Sequence, residues 1–444
     1  MGTFLETEKE NRAKPSLLQR GRGLLSTAAA RQGALSLVDQ GVASGTNFLT
    51  GVIIARACSK EELGLYMLGF SLILLVTDLQ TSLIATPYMI YSPRLKGSAH
   101  ALYTGSALAH QLTLCFIAVL ALIGGGIAVA HGLGPNGLGP VLWALAAVVA
   151  FIMLRIYARQ VCFACLKVKK VLFLDTSVAI CQISGLILLA DFGLLSAGRA
   201  YWVIGFACGT AVIVWLWVER PFYRLRINES FADLRKNWIL GKWVFASGIV
   251  WTVSVNLYPW FLAFFRGTAS TGVWAACLGV VALGNPAVMG VQNFLGPKIA
   301  HVYAEEGPRN LRRFIFKASA FFSLPMLFFC VAMAFFGGPL VALLYGDKYA
   351  GNGMVVALLA INLAVSAVAF SFSRGLFAIE HAGLDFVVNF VALFLMLTLG
   401  LWLVRSFGVL GAAAGLLGAN LAASIVRAGV FLKLPGHPCL DRAV

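Results

Sequence analysis

An all-α polytopic membrane protein of about twelve transmembrane helices, arranged as two pseudo-symmetric six-helix bundles, is the fold class this sequence predicts, and three observations predict it. Hydrophobic residues make up 60% of the 444 positions and charged residues 12%, with a mean hydropathy of +0.86, whereas ordinary globular domains carry about a quarter charged residues. So few charges cannot cover a water-exposed surface. Apolar stretches of about 20 residues or more recur along the whole length, each able to cross a hydrocarbon core of about 30 Å as a helix. The first and second halves of the chain also repeat one another in outline.

Taken in order, the predicted spans are 34–56, 64–91, 103–130, 140–164, 171–191, 199–218, 238–264, 269–295, 314–344, 352–378, 384–404 and 408–431. They divide the chain into a basic cytoplasmic arm (1–33), a first bundle (34–218), a cytoplasmic linker (219–237), a second bundle (238–432) and a cytoplasmic tail (433–444). The arm holds Lys9, Arg12, Lys14, Arg20, Arg22 and Arg31 without an uninterrupted apolar core, so no cleaved signal is expected. With the N-terminus inside, inner segments collect about 28 of the 34 basic residues, the asymmetry expected of translocated and retained loops. Both termini are therefore expected in the cytoplasm.

The formal net charge of +16 has two readings: positive-inside bias with attraction to anionic lipid headgroups, or a cationic route for an anionic lipid-linked substrate. Nucleic acid is not an expected partner, because the basic residues are scattered over short loops and form no basic domain. Nine cysteines lie mostly inside predicted spans, which argues against a disulfide framework. Cys162 and Cys165 form a CxxC with no second pair or histidine cluster, and packing is the favoured reading over metal or redox chemistry. No cofactor is expected.

The repeat has landmarks. Asn47 precedes Arg56 in the first span and Asn256 precedes Arg266 in the seventh; Gly64-Leu-Tyr66 opens the second and Gly272-Val-Trp274 the eighth. Pro93-Arg94 and Pro297-Lys298 follow, then Arg159 in the fourth span and Arg374 in the tenth. Their order is collinear. Units with an even number of helices face the same way, so the predicted arrangement is two bundles about an axis along the membrane normal, with a cleft between them.

No GxxxxGK[ST] occurs, and the Gly-rich stretch Gly124–Gly139 reads as a flexible outer turn. No long loop offers a paired-carboxylate or Ser/His/Asp arrangement, so an enzyme acting on a soluble substrate is disfavoured. Ionisable residues inside the membrane remain, each costly to bury and hence a candidate for function. Asp39 and Asp78 fall at a similar inner depth. Polar stripes run beside them, Gln40, Ser44, Asn47 and Gly51 on the first span and Ser71, Asp78 and Ser82 on the second, and should face a bundle interior or a watery cavity. His110, Gln111, Arg155, Arg159, Asp175 and Gln182 share that depth, so a polar basin opening to the cytoplasm is expected in the first half. The bland alternatives are headgroup snorkelling for Arg159 and Asp175, buried hydrogen bonding between helices for Asp39 and Asp78, and a satisfied packing role for His110. The second half carries mainly neutral polar residues, among them Asn256, Asn285, Gln292, Asn293, Asn362, Asn389 and Asn420, with Arg374 and Asp385 near the inner edge; interhelical amide bonding accounts for most of them.

The stretch Ser36–Arg94, through Asp39-Gln40, Asn47-Phe48, Ala55-Arg56 and Gly64-Leu-Tyr, resembles the start of polysaccharide transporters in the MOP (multidrug/oligosaccharidyl-lipid/polysaccharide) flippase superfamily. The resemblance implies a MATE-like fold and export of a lipid-linked oligosaccharide, on a polyprenyl diphosphate, from the cytoplasmic to the periplasmic leaflet of a bacterial inner membrane by alternating access. A diphosphate needs cationic partners, for which Arg155, Arg159 and Arg374 are candidates, because the guanidinium fork matches phosphate oxygens. Gln40, Asn47 and Asn256 complete the candidate substrate set; Asp39, Asp78 and His110 are the candidate ion-coupling set. The lipid-linked oligosaccharide, anionic membrane lipids and a polysaccharide polymerase or assembly complex are the candidate partners. Two rivals stay open: a cation-coupled multidrug antiporter of the same superfamily, using Asp39 and Asp78 as the ion site, and a membrane polymerase or ligase, which would be expected to carry a large outer loop.

Overall fold

The computed structural model describes residues 28–218, 224, 226–379 and 381–434, and every regular element among them is helical. The expected basic arm and tail lie for the most part outside the described residues. In the first half the helices are α1 (Ala28–Ala57), α2 (Lys60–Arg94), α3 (Gly97–Ala130), α4 (Leu138–Ala164), α5 (Val168–Asp191) and α6 (Ala197–Val218). The second half has α7 (Ile227–Arg266), α8 (Thr268–Gly284), α9 (Asn285–Tyr345), α10 (Gly353–Ala378), α11 (Ala382–Leu395) and α12 (Leu401–Lys433). Backbone angles leave the helical region at Gly307 (φ 77°, ψ 179°) inside α9 and at Gly408 (φ 59°, ψ −131°) inside α12.

Local sequence explains the irregular turns. In α2 the backbone widens into a π turn over Thr81–Ala85 just before Pro87, which has no N–H to donate and whose ring crowds the carbonyl four residues earlier. Nine helical stretches among the described residues are long and apolar enough to cross a membrane. The expected twelve do not map onto them one to one. The first helix carries Arg31, Gln32, Asp39, Gln40, Thr46 and Asn47 and is not among the nine, Thr268–Gly284 is a shorter apolar helix, and Gly383–Lys433 counts as one stretch despite the break at Gly408.

Two expectations shift. Helix α7 begins at Ile227, inside the stretch 219–237 read as a linker. The glycines Gly124–Gly126 belong to α3, and the turn is confined to 131–137; a backbone in hydrocarbon must satisfy its own hydrogen bonds, which keeps glycine helical there.

Helix α4 is the most buried of the nine stretches, with 67% of its apolar window inside the protein. It is the axis of the first bundle, with α6 packed so closely that a Cβ on Gly205 would lie 2.3 Å from Val148 Cβ. The halves meet where α2 crosses α8. A Cβ on Gly64 would fall 1.9 Å from Thr268 O and one on Gly272 2.0 Å from Lys60 O. Two glycines that the repeat aligns thus make reciprocal backbone contacts, which no residue with a side chain could make.

Candidate functional site

The most buried of the nine stretches, α4, carries two arginines. Arg155 and Arg159 are one turn apart on α4 and therefore project from one face. Arg155 Nη2 donates to Asp175 Oδ1 at 2.8 Å and its Nε to the same oxygen at 3.2 Å. Arg159 Nε lies 2.6 Å from Asp175 Oδ2, and its Nη2 donates to Asp39 Oδ2 at 2.8 Å. One carboxylate on α5 thus holds two guanidiniums side by side, and a second, on α1, closes the chain. The side chains of Asp175 and Asp39 are 0% and 2% exposed, those of Arg155 and Arg159 19% and 22%. With all four ionised the cluster is neutral, as a low-dielectric interior requires, and what it presents outward is guanidinium. Asp39 Oδ1 is buried with no hydrogen-bond partner.

Asp39 and Asp78 do not act on one partner. Asp78 Oδ2 accepts from Thr252 Oγ1 on α7 at 2.5 Å, so it faces the second half, whereas Asp39 is held within the first. His110 also reaches α7: its Nε2 lies 3.0 Å from Ser230 O and 3.1 Å from Ser230 Oγ, and its Nδ1 is buried without a partner. Tyr103 OH donates to Asn237 Oδ1 at 2.9 Å and Trp260 Nε1 to Ser71 Oγ at 2.9 Å. Helix α7 belongs to the second half by sequence, yet it is bonded along its length to α2 and α3.

On α1, Gln40, Ser44 and Asn47 are exposed, with Gln40 Nε2 donating to Ser44 Oγ at 3.3 Å. A Cβ on Gly41, Gly45 or Gly51 would meet nothing within 4 Å. Lipid offers an exposed amide no partner, so these side chains would be costly to leave against hydrocarbon. The adjoining face is packed: Gln182 Nε2 on α5 donates to Thr50 Oγ1 at 2.8 Å. Asn256 is buried, its Nδ2 bonded to Thr252 O at 2.8 Å and its Oδ1 without a partner.

Arg374 sits apart from the cluster. It is exposed on α10, its guanidinium 4.8 Å from the ring centroid of Phe370 and 5.7 Å from that of Phe377. The buried charge of the second half lies elsewhere: Arg427 on α12 donates from Nε to Asp385 Oδ1 at 2.6 Å and from Nη2 to Asn389 Oδ1 at 2.7 Å, and Asn389 Nδ2 donates to Asp385 Oδ2 at 3.2 Å. Sequence reasoning did not single out Arg427. Two signals could have found it: an arginine deep in the last apolar run, and the dipeptide Leu174-Asp175 recurring as Leu384-Asp385 in the fifth helix of each half.

Comparison with known proteins agrees with this architecture. The chain is similar in fold to a multidrug resistance MATE family transporter of the MOP superfamily in an inward-facing conformation (TM-score 0.72, 15% identity, 87% of this chain and 93% of the other). It is equally similar to the lipid II flippase MurJ in an inward closed conformation (TM-score 0.72, 13% identity, 90% and 88%). A MOP superfamily transporter from Pyrococcus furiosus Vc1 aligns at TM-score 0.61 with 14% identity over 91% and 94%. No curated protein matches the chain. The profile of a family described as polysaccharide biosynthesis protein matches residues 96–353, more than half of the sequence. The chain is thus a multi-pass membrane protein on the MOP transporter fold, and it belongs to the polysaccharide biosynthesis protein family.

Proposed function

We propose that this protein is a flippase that moves a lipid-linked oligosaccharide, carried on a polyprenyl diphosphate, from the cytoplasmic to the outer leaflet of a bacterial inner membrane by alternating access. The observation that carries the reading is the pair Arg155 and Arg159, held side by side by Asp175 and each about a fifth exposed. Two guanidiniums one helical turn apart suit the two phosphates of a diphosphate, which would compete with Asp39 for Arg159. Gln40, Asn47 and Asn256 would meet sugar hydroxyls, and Arg374 would supply a second cation from the other half. Asp39, Asp78 and His110 are the groups through which an ion gradient would act. Anionic lipids, and a polysaccharide polymerase or assembly complex, are the partners this reading implies.

In vesicles of defined orientation, translocation of a labelled polyprenyl diphosphate sugar is expected to fall at least about tenfold in Arg159→Ala, a loss of about 1.4 kcal/mol, with partial recovery in Arg159→Lys. Arg374→Ala tests the second cation; normal flux in both alanine variants at normal protein levels overturns the substrate assignment. In a background freed of native cysteines, single cysteines at 131–139 should react with an impermeant thiol reagent in intact cells and those at 225–235 should not; labelling of the second site overturns the orientation. A second reading, cation-coupled multidrug extrusion, is favoured by the equal fold likeness to a multidrug transporter; dye efflux without sugar-lipid movement would select it.

A further inference from the structure

At the end of the molecule where α1 turns into α2 and α9 into α10, two cations tie the halves crosswise. Arg56, in the last turn of α1, donates from Nε to Leu344 O at 2.9 Å and from Nη2 to Leu343 O. These are among the final carbonyls of α9, which stops at Tyr345 before Gly346 at φ 100°. In the opposite direction, Lys348 donates from Nζ to Cys58 O, just past the end of α1. Each helix end is capped by a cation from the other half. The last carbonyls of a helix lack intrahelical donors and carry the negative end of its dipole, so a cation answers both needs. Around the straps, Phe48 meets Tyr345 edge-on at 6.5 Å, and Lys60 lies 6.0 Å from the ring centroid of the buried Tyr349. The α2–α8 crossing beside them brings glycine against backbone.

The repeat supplies its own contrast. Arg266, the counterpart of Arg56 at the end of α7, donates from Nη2 to Arg405 O at 2.6 Å and to Ser406 O at 2.8 Å, just before the break at Gly408. That helix end lies in the same half. Capping alone is therefore met without crossing between halves, and the crossing at Arg56 and Lys348 is a separate feature.

We propose that Arg56 and Lys348 form a reciprocal latch that holds the two halves closed at this end, and that its release permits a cleft to open there. The proposal rests on the alternating-access part of the reading above. Arg56 makes two hydrogen bonds to the opposite half and Lys348 one, so Arg56 is the stronger strap.

The test needs no substrate, which separates its failure from failure of the flippase reading. Nitroxide labels at Leu133→Cys in the first half and Met354→Cys in the second, both exposed positions, report the gap by electron–electron dipolar distances in the full chain in lipid nanodiscs. Arg56→Gln with Lys348→Gln is expected to raise the long-distance population at least about threefold. Arg56→Lys should keep the parent distribution, and so should Arg266→Gln. An unchanged distribution in the double variant overturns the latch, and so does an equal shift in Arg266→Gln, which would mean that any lost helix cap loosens the protein. Should the double variant not fold, the single variants decide: Arg56→Gln must shift the distribution, and more than Lys348→Gln does.

Discussion

In the first half, Asp175 on the fifth helix takes both its arginines from the fourth, and a second carboxylate from the first helix completes a neutral cluster. In the second half, Asp385 occupies the matching place on α11, but its arginine comes from the sixth helix of that half, α12, and its neighbour Asn389 shares the load. The arginine that the repeat aligns with Arg159 is Arg374, which is exposed against two phenylalanines. The two halves share the carboxylate and differ in its partner. A buried carboxylate must be neutralised by something, and which neighbour does so is open to local choice. The first bundle leaves two guanidiniums about a fifth exposed, the second one guanidinium sealed inside, its side chain 9% exposed.

The largest effect expected is at this pair of carboxylates. Asp175→Leu strands Arg155 and leaves Arg159 with Asp39 alone, and should cost about 3–5 kcal/mol, enough to remove most folded protein in detergent. Asp385→Leu leaves Arg427 with Asn389 and should cost about 2 kcal/mol. Thermal unfolding of the two variants side by side checks the order, and equal losses would erase the proposed difference between the halves.

Next come the positions where the halves are alike. Gly64→Ala and Gly272→Ala each place a Cβ within 2.0 Å of a carbonyl on the opposite helix, and overpacking of this kind should cost about 1–3 kcal/mol. The two losses should match; a tolerated alanine at one site only would break the symmetry of the α2–α8 crossing.

The smallest effect is at Asp78. The Thr252 hydroxyl can donate to an amide oxygen as well as to a carboxylate, so Asp78→Asn should cost about 1 kcal/mol or less. If Asp78 couples transport to an ion, the same variant loses the gradient dependence of sugar-lipid flux while staying folded. Unaltered gradient dependence with a lowered melting temperature assigns Asp78 to holding α7 on α2.

Much of the fold was legible because its signals are local or compositional. Apolar runs long enough to span lipid, the low share of charged residues, and the Gly64 and Gly272 landmarks can all be read from sequence alone. The unusual depth of Asp39, Arg155, Arg159 and Asp175 could also be read, since charge inside an apolar run is visible without coordinates. Their pairing could not: Asp39 and Asp78 share a depth, yet one bonds to α4 and the other to α7, because depth fixes height along the membrane normal and says nothing of rotation about each helix axis. The break at Gly408 and the early start of α7 escaped for a related reason. Glycine permits a kink without demanding one, and the polar residues 227–237 become helical against α3, a contact that hydropathy does not encode.

By itself, the sequence determined that this chain lies in a membrane, that its halves share landmarks in the same order, and which ionisable residues must find partners there, because the cost of burying charge in hydrocarbon depends on residue type and depth. Only the tertiary structure decided who those partners are. Arg159 over Asp39, Arg427 over Asp385, and Arg56 on a helix end of the opposite half each depend on how helices far apart in sequence rotate and lean against one another, and packing of whole helix faces sets that rotation.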